Sequence, residues 1–192
     1  MAEPSDVAEE WEVVDSEVLA DTGWVVTLRA DRVRRPGHPD DEPFRRFVLE
    51  HPGAAVILAL DEQDRVFCLR QYRHAARRRF VELPAGLLDV EGEGAEQAAR
   101  RELLEEAGLE AIAWTHLGTT YGSPGISQEV HHLYLARGLS EVDSDFVAEH
   151  EEADMSTEWI GFDDLLAAVL DGRVQDGPVV QAVLLARARG LA

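Results

Sequence analysis

The sequence predicts an α+β fold, and three observations predict it. Strand-length apolar runs bounded by turn formers fill the stretch from Trp11 to Tyr72, the hydrophobic period changes after Leu88 to that of a helix, and after further strands the chain ends in two helical stretches. The longest apolar run, Ala54 to Leu60, has seven residues. That suits a buried strand and falls far short of the roughly 20 needed to span a bilayer. With 192 residues and 45% hydrophobic content, the chain can build one domain with a proper core and an N-terminal appendage.

From Trp11 to Val33 the residues alternate loosely about Gly23, which predicts a hairpin ahead of the main fold. Arg35 to Pro43 is dense in turn formers and reads as a loop. Strands follow at Phe44 to Leu49, Ala54 to Leu60 and Val66 to Tyr72, with Asp61-Glu62-Gln63-Asp64 as a polar hairpin loop between the last two. Gly94 to Ala107 reads as a helix, ended by Gly108 where a left-handed residue is favoured. Trp114 to Thr119 and Val130 to Ala136 are expected strands, Asp143 to Asp154 is an acidic loop, and Trp159 opens the last strand region. Phe162 to Leu170 is a helix, and Val179 to Arg189 is an amphipathic one with an arginine-rich end.

The formal charge is −20, and a field of that sign repels nucleic-acid backbones and anionic membranes. Neither is an expected partner, and an anionic small substrate needs a local basic pocket or a metal. Every basic side chain outside the histidines is arginine, which reads as composition bias. Met1 to Glu10 is polar and acidic, without the basic start and apolar stretch of a leader, so a soluble, cytoplasmic protein is expected. The single cysteine, Cys68, cannot form an internal disulfide, which fits a reducing compartment. His131 and His132, adjacent in an alternating strand, point to opposite faces and do not form a metal pair.

The segment Arg101-Glu102-Leu103-Leu104-Glu105-Glu106-Ala107-Gly108-Leu109 is the most informative. At about 100° per residue, Ala95, Ala98, Ala99, Glu102 and Glu106 share the side that an apolar stripe marks as inward, and Glu105 lies about 60° from Glu102. Like charges at this spacing destabilise a helix by a few tenths of a kcal/mol each, and partial burial of unpaired carboxylates costs more. Arg101 can reach Glu105, but one guanidinium leaves at least one acid over. Oxygen-only ligands favour a hard cation such as Mg²⁺ or Mn²⁺. From this helix alone, an ordinary solvated acidic face is the open alternative.

Gly86, then Glu93, then Arg101 to Leu109 resembles the Nudix signature nearly throughout. One departure is that six residues separate Gly86 from Glu93, where the usual signature has five. An added loop residue is tolerable, but it ranks Glu93 below the helix glutamates. The resemblance implies the Nudix fold, a mixed β-sheet sandwiched between α-helices, over residues 46–192, behind an N-terminal β extension over residues 1–45. It implies Glu102, Glu105 and Glu106 as a carboxylate cluster binding Mg²⁺ or Mn²⁺, the backbone carbonyl of Ala85 as a further ligand, and Arg101 and Glu93 as groups that orient the cluster. The family cleaves a nucleoside diphosphate linked to another moiety, and divalent ions suit that chemistry because they neutralise the diphosphate and activate water.

Two features resemble the ADP-ribose pyrophosphatase branch. One is Gln71-Tyr72-Arg73-His74 followed by Phe80-Val81-Glu82-Leu83-Pro84-Ala85-Gly86; the other is Ser123-Pro124-Gly125, fifteen residues beyond Leu109 at its proline, with Glu129 shortly after. The resemblance implies that Arg73 contacts a phosphate, a role suited to a planar fork, and that Glu129 lies near the terminal ribose beside a loop shaped by Ser123 and Gly125. His150-Glu151-Glu152-Ala153-Asp154-Met155 resembles the loop supplying the catalytic base, with Glu152 aligned to it and Glu151 as the fallback. The N-terminal strands imply a homodimer. Trp11 or Trp24 could then stack on a base, although a plain core role fits each better. ADP-ribose hydrolysis to AMP and ribose 5-phosphate is the leading expectation. A Nudix hydrolase of another nucleotide-sugar or of a nucleoside triphosphate, or a non-catalytic nucleotide-sensing module, are the alternatives.

Overall fold

The computed structural model describes residues 3–21, 23, 25–142 and 154–192. They form two compact units, Met1–His51 with Ser123–Glu129, and Pro52–Gly122 with Val130–Ala192.

In the first unit, β1 (Glu12–Asp21), β2 (Thr27–Arg34) and β3 (Phe44–Glu50) form an antiparallel sheet in the order β1-β2-β3. The expected hairpin is present, and the turn formers of residues 35–43 connect its second strand to β3. Residues 123–129 lie along β3, where Leu49 N–H donates to the Ile126 carbonyl at 2.7 Å and Gln128 N–H donates to Leu49 at 3.2 Å. Every residue of β1 is exposed. The core role expected for Trp11 is not observed: its side chain is 39% exposed and meets Phe44 edge-on at 6.1 Å. Trp24 lies outside the described residues.

The second unit contains a four-stranded mixed sheet in the order β7-β4-β9-β8 and a three-stranded antiparallel sheet in the order β10-β5-β6. The strands are β4 (Ala54–Ala59), β5 (Arg65–Arg73), β6 (Arg78–Glu82), β7 (Ala85–Leu87), β8 (Leu109–Tyr121), β9 (Val130–Glu141) and β10 (Ser156–Gly161). Three helices accompany them, α1 (Ala95–Ala107), α2 (Phe162–Leu170) and α3 (Gly177–Ala188). The continuous apolar run of β4 follows from its parallel pairing with β9 and cover on both faces. Ala55, Ile57 and Ala59 pack with Ala98, Ala99 and Leu103 of α1. Val56 and Leu58 pack instead with Phe162 and Leu165 of α2 and Val179, Ala182 and Val183 of α3. The sheet thus lies between helices, as the resemblance to the Nudix family implies. Burial pushes the Cys68 thiol up to about 12, so it sits in the core as an inert small hydrophobe.

Three local expectations differ from the structure. The polar turn after Leu60 forms, with Asp61 Oδ1 accepting from Gln63 and Arg65 N–H at 2.9 and 2.7 Å. Beyond the single bridge between Leu60 and Val66, however, β4 and β5 part into different sheets. Strands β6 and β7 were not expected, because Arg77-Arg78-Arg79 lacks apolar alternation and Pro84 reads as a break. Strand β8 starts directly after Gly108, whose φ of 62° supplies the left-handed cap of α1, and so is longer than expected. Among the described residues, no helix is long and apolar enough to cross a membrane.

Candidate active site

Helix α1 is fixed by Ala98, Ala99 and Leu103, all fully buried. Glu102 and Glu106 continue that inward side and meet β7. The Ala85 N–H donates to Glu106 Oε2 at 2.9 Å. The Glu102 carboxylate lies directly against Gly86: a Cβ built there would stand 1.8 Å from Cδ and 1.9 Å from Oε1 of Glu102. Glycine at this position is therefore a matter of space for the carboxylate. Burial pushes the Glu102 pKa up, Arg101 works against that rise, and the charges of Glu105 and Asp89 add to it.

Arg101 gathers the remaining acids. Its Nη2 and Nε donate to Glu93 at 3.0 and 3.2 Å, and its Nη1 donates to Glu102 and, at 3.2 Å, to Glu105. Nη2 also reaches the Leu87 carbonyl at 3.4 Å. The hydrogen bonds from Arg101 hold Glu93 below the usual carboxylate range. The extra residue before Glu93 thus does not displace it from Arg101. The loop before it closes in a turn where Glu93 N–H donates to the Val90 carbonyl at 3.1 Å.

Among the described residues, no group of three acidic, histidine or cysteine side chains closes on one point as a ready-made metal cage. Arg101 and the Ala85 N–H turn the carboxylates toward different partners. The donor set nevertheless fits a hard divalent cation. It is all oxygen, it includes the half-buried Glu102 carboxylate whose charge is only partly offset, and Mg²⁺ is ordinarily held by one or two carboxylates together with substrate phosphates and water.

The other expected residues distribute as follows. Arg73, on β5, donates from Nε and Nη2 to both carboxylate oxygens of Glu82, with contacts of 2.7, 3.0 and 3.2 Å. Ser123, Gly125 and Glu129 belong to the first unit. There the Ser123 carbonyl accepts from Ile126 and Ser127 N–H, and His51 Nε2 lies 3.8 Å from Glu129 Oε1. A Cβ at Gly125 would meet nothing within 4 Å, so the fold does not itself demand glycine there. Glu151 and Glu152 lie outside the described residues. Of the arginines near Arg73, Arg70 pairs with Glu158, Arg79 with Asp154, and Arg78 donates to Gln175.

Two acids escaped the sequence reading. Glu82 is 6% exposed. Asp176 caps α3, accepting from Val179 N–H at 3.1 Å. Burial lifts the Asp176 carboxyl to about 6, the Val179 hydrogen bond opposes the rise, the Glu82 charge adds to it, and Arg73 and His131 counter it. The native pKa lies above the ordinary value of 3.8, so the folded state holds more protons across that interval. Stability then falls as pH rises from about 4 to 6, and the loss is complete above it. Asparagine caps a helix as well as aspartate and carries no charge. Asp176→Asn is expected to raise Tm by about 2–5 °C at pH 7.5 and by little at pH 4; an unchanged Tm at pH 7.5 would refute the burial penalty.

A family model described as the NUDIX domain matches residues 49–183. The chain is 42% identical over 179 residues to an ADP-ribose pyrophosphatase of Mycobacterium tuberculosis (strain ATCC 25618 / H37Rv), covering 93% of this chain and 84% of that protein. It is 33% identical over 162 residues to a methanol dehydrogenase activator of Bacillus methanolicus, covering 84% and 85%. A crystal structure of an ADP compounds hydrolase superposes with a TM-score of 0.76 at 18% identity, covering 98% of this chain and 99% of that one, and so shares the fold. A signature glycine packed on a helix carboxylate, an arginine tying three acids, and a family match over most of the sequence lead to one conclusion: the chain belongs to the Nudix family of hydrolases.

Proposed function

We propose that this chain hydrolyses the pyrophosphate bond of ADP-ribose to AMP and ribose 5-phosphate, using Mg²⁺. The observation that carries the reading is the acid face of α1, with Glu102 against Gly86, Glu106 on the Ala85 N–H and Arg101 tying Glu93, Glu102 and Glu105 together. The choice of ADP-ribose is supported by the 42% identity to the mycobacterial ADP-ribose pyrophosphatase.

In this reading Glu102, Glu105, Glu106 and the Ala85 carbonyl hold the metal, which supplies charge neutralisation of the diphosphate and a lowered pKa for water. Arg101 orients the carboxylates through its bonds to Glu93, Glu102 and Glu105. Arg73 holds a phosphate through its fork, while Glu129, Ser123 and Gly125 serve the terminal ribose. Water adds to one phosphorus, its proton passes to Glu152, and the bond from that phosphorus to the bridging oxygen breaks. Glu152→Gln is expected to slow kcat by about a hundredfold, at the low end for a general base, with KM within about threefold of wild type. An unchanged kcat would move the base to Glu151 or elsewhere.

The protein is read as a cytoplasmic homodimer. An exposed ten-residue strand β1 carrying Val13 at 51% and Val18 at 61% exposure supports the dimer, and a monomer mass in light scattering would contradict it. The substrate reading is tested by phosphate release in the presence of a phosphatase, comparing ADP-ribose, GDP-mannose, UDP-glucose and nucleoside triphosphates with and without Mg²⁺. A strong Mg²⁺-dependent preference for ADP-ribose is expected. Activity confined to another substrate overturns the choice of ADP-ribose, and silence throughout overturns the enzyme assignment in favour of a sensing module.

A further inference from the structure

Arg73 is more constrained than a phosphate contact at a surface needs to be. Leu69 of β5 pairs with Glu82 of β6, and Gln71 and Arg73 follow Leu69 on the same face of the sheet. That register brings the Arg73 side chain back over Glu82. Glu82 takes the Nε and Nη2 edge of the guanidinium with both of its oxygens, and its own side chain is 8% exposed while that of Arg73 is 54% exposed. The pair therefore has a buried, fixed end and an open end. With one edge of the fork occupied, the Nη1 side is the one turned away from Glu82. Further carboxylates act on the guanidinium from other elements, Asp176 from the cap of α3 and Glu106 from α1.

We propose that Glu82 is a positioning residue for Arg73: the bidentate grip on the Nε and Nη2 edge of the guanidinium fixes its plane and presents the adjoining Nη1 and Nη2 edge to a phosphate of the substrate. The inference rests on the reading of Arg73 as a phosphate contact. Its physical basis is that a planar fork gains from pre-organisation, since a freely swinging arginine must be ordered at the moment of binding. A buried carboxylate is a suitable clamp because its bonds to a guanidinium are charge-assisted and water competes for them poorly. Asp176 supplies charge nearby without the grip, which separates orientation from field.

The test is steady-state kinetics with ADP-ribose at saturating Mg²⁺ on Glu82→Gln, Arg73→Gln, the double variant, Arg73→Lys and Asp176→Asn, with Tm for each. Glutamine keeps the volume of Glu82 but offers one acceptor and turns an N–H₂ toward the guanidinium. Glu82→Gln is expected to raise KM about tenfold, the equivalent of one good hydrogen bond, with kcat within about threefold. In the Arg73→Gln background the same change is expected to add nothing, and Asp176→Asn is expected to leave KM within about twofold. Arg73→Lys, which keeps the charge but has no edge to grip, is expected to match Arg73→Gln in KM. That comparison carries the test if Glu82→Gln does not fold. The positioning role is overturned by an unchanged KM in Glu82→Gln, by additive losses in the double variant, by a KM rise in Asp176→Asn as large as that in Glu82→Gln, or by a wild-type KM in Arg73→Lys. An unchanged KM in Arg73→Gln instead overturns the phosphate contact on which the inference stands.

Discussion

Glu106→Gln is expected to lower kcat/KM by about a thousandfold while leaving the fold in place. The two halves of that expectation have separate physical grounds. Glu106 Oε2 accepts the Ala85 N–H at 2.9 Å, and a glutamine retains an oxygen that can accept the same bond at the same volume. Replacing a charge on a face that already carries Glu102 and Glu105 also relieves repulsion between like charges. Tm should therefore stay within about 2 °C of wild type. What is lost is a full negative charge in the oxygen-only cluster, at a site that must hold a divalent cation against an anionic diphosphate. Removing one preorganised electrostatic group from an active site costs about 10² to 10³ in rate, and a metal carboxylate lies at or above the top of that range; a thousandfold corresponds to about 4 kcal/mol. The measurement is kcat/KM across a Mg²⁺ titration, with thermal unfolding alongside. Turnover within tenfold of wild type at saturating Mg²⁺ would remove Glu106 from the metal site, and a large fall in Tm would show that its role is to pin β7.

What could be read from the sequence was the part carried by local spacing. Helix α1 and its Gly108 cap follow from helical periodicity and one glycine, and α2 begins and ends where its apolar pattern does. The inward placement of Glu102 and Glu106 also follows, because Ala98 and Ala99 set the helix face. What could not be read depends on pairing between distant segments. The turn at Asp61 is local and was legible, yet the departure of β4 toward β9 and of β5 toward β10 depends on partners far along the chain. The same limit hid Glu82. Its neighbours Leu83 and Pro84 mark it only as part of a motif, and its bond to Arg73 appears once β5 and β6 are placed in register. Arg101 shows the limit in another form. Its reach to Glu105 one turn ahead is a helix rule, whereas its bonds to Glu93 depend on how the loop before α1 folds back.

Gly86→Ala is expected to cost about as much activity as Glu106→Gln, from the addition of one methyl group. The added Cβ would lie 1.8 Å from Cδ and 2.2 Å from Cγ of Glu102, far inside contact distance. One of the two must give way. Gly86 pairs with Ala55 of β4, a fully buried residue in a strand covered on both faces, so the backbone has no room to retreat. Helix α1 is equally fixed by Ala98, Ala99 and Leu103. The movable part is the end of the Glu102 side chain, and its displacement empties the carboxylate position and breaks its ion pair with Arg101. Because that carboxylate is buried at a cost, expelling it removes a desolvation penalty that partly offsets the strain, and the loss of stability should be small, about 1–3 kcal/mol as for other overpacked sites. The expected outcome is a folded protein by circular dichroism, with kcat/KM down about a thousandfold and an apparent Mg²⁺ requirement shifted to much higher concentration. Activity within tenfold of wild type would mean that Glu102 can hold its place from another rotamer, and that the glycine serves the strand rather than the metal.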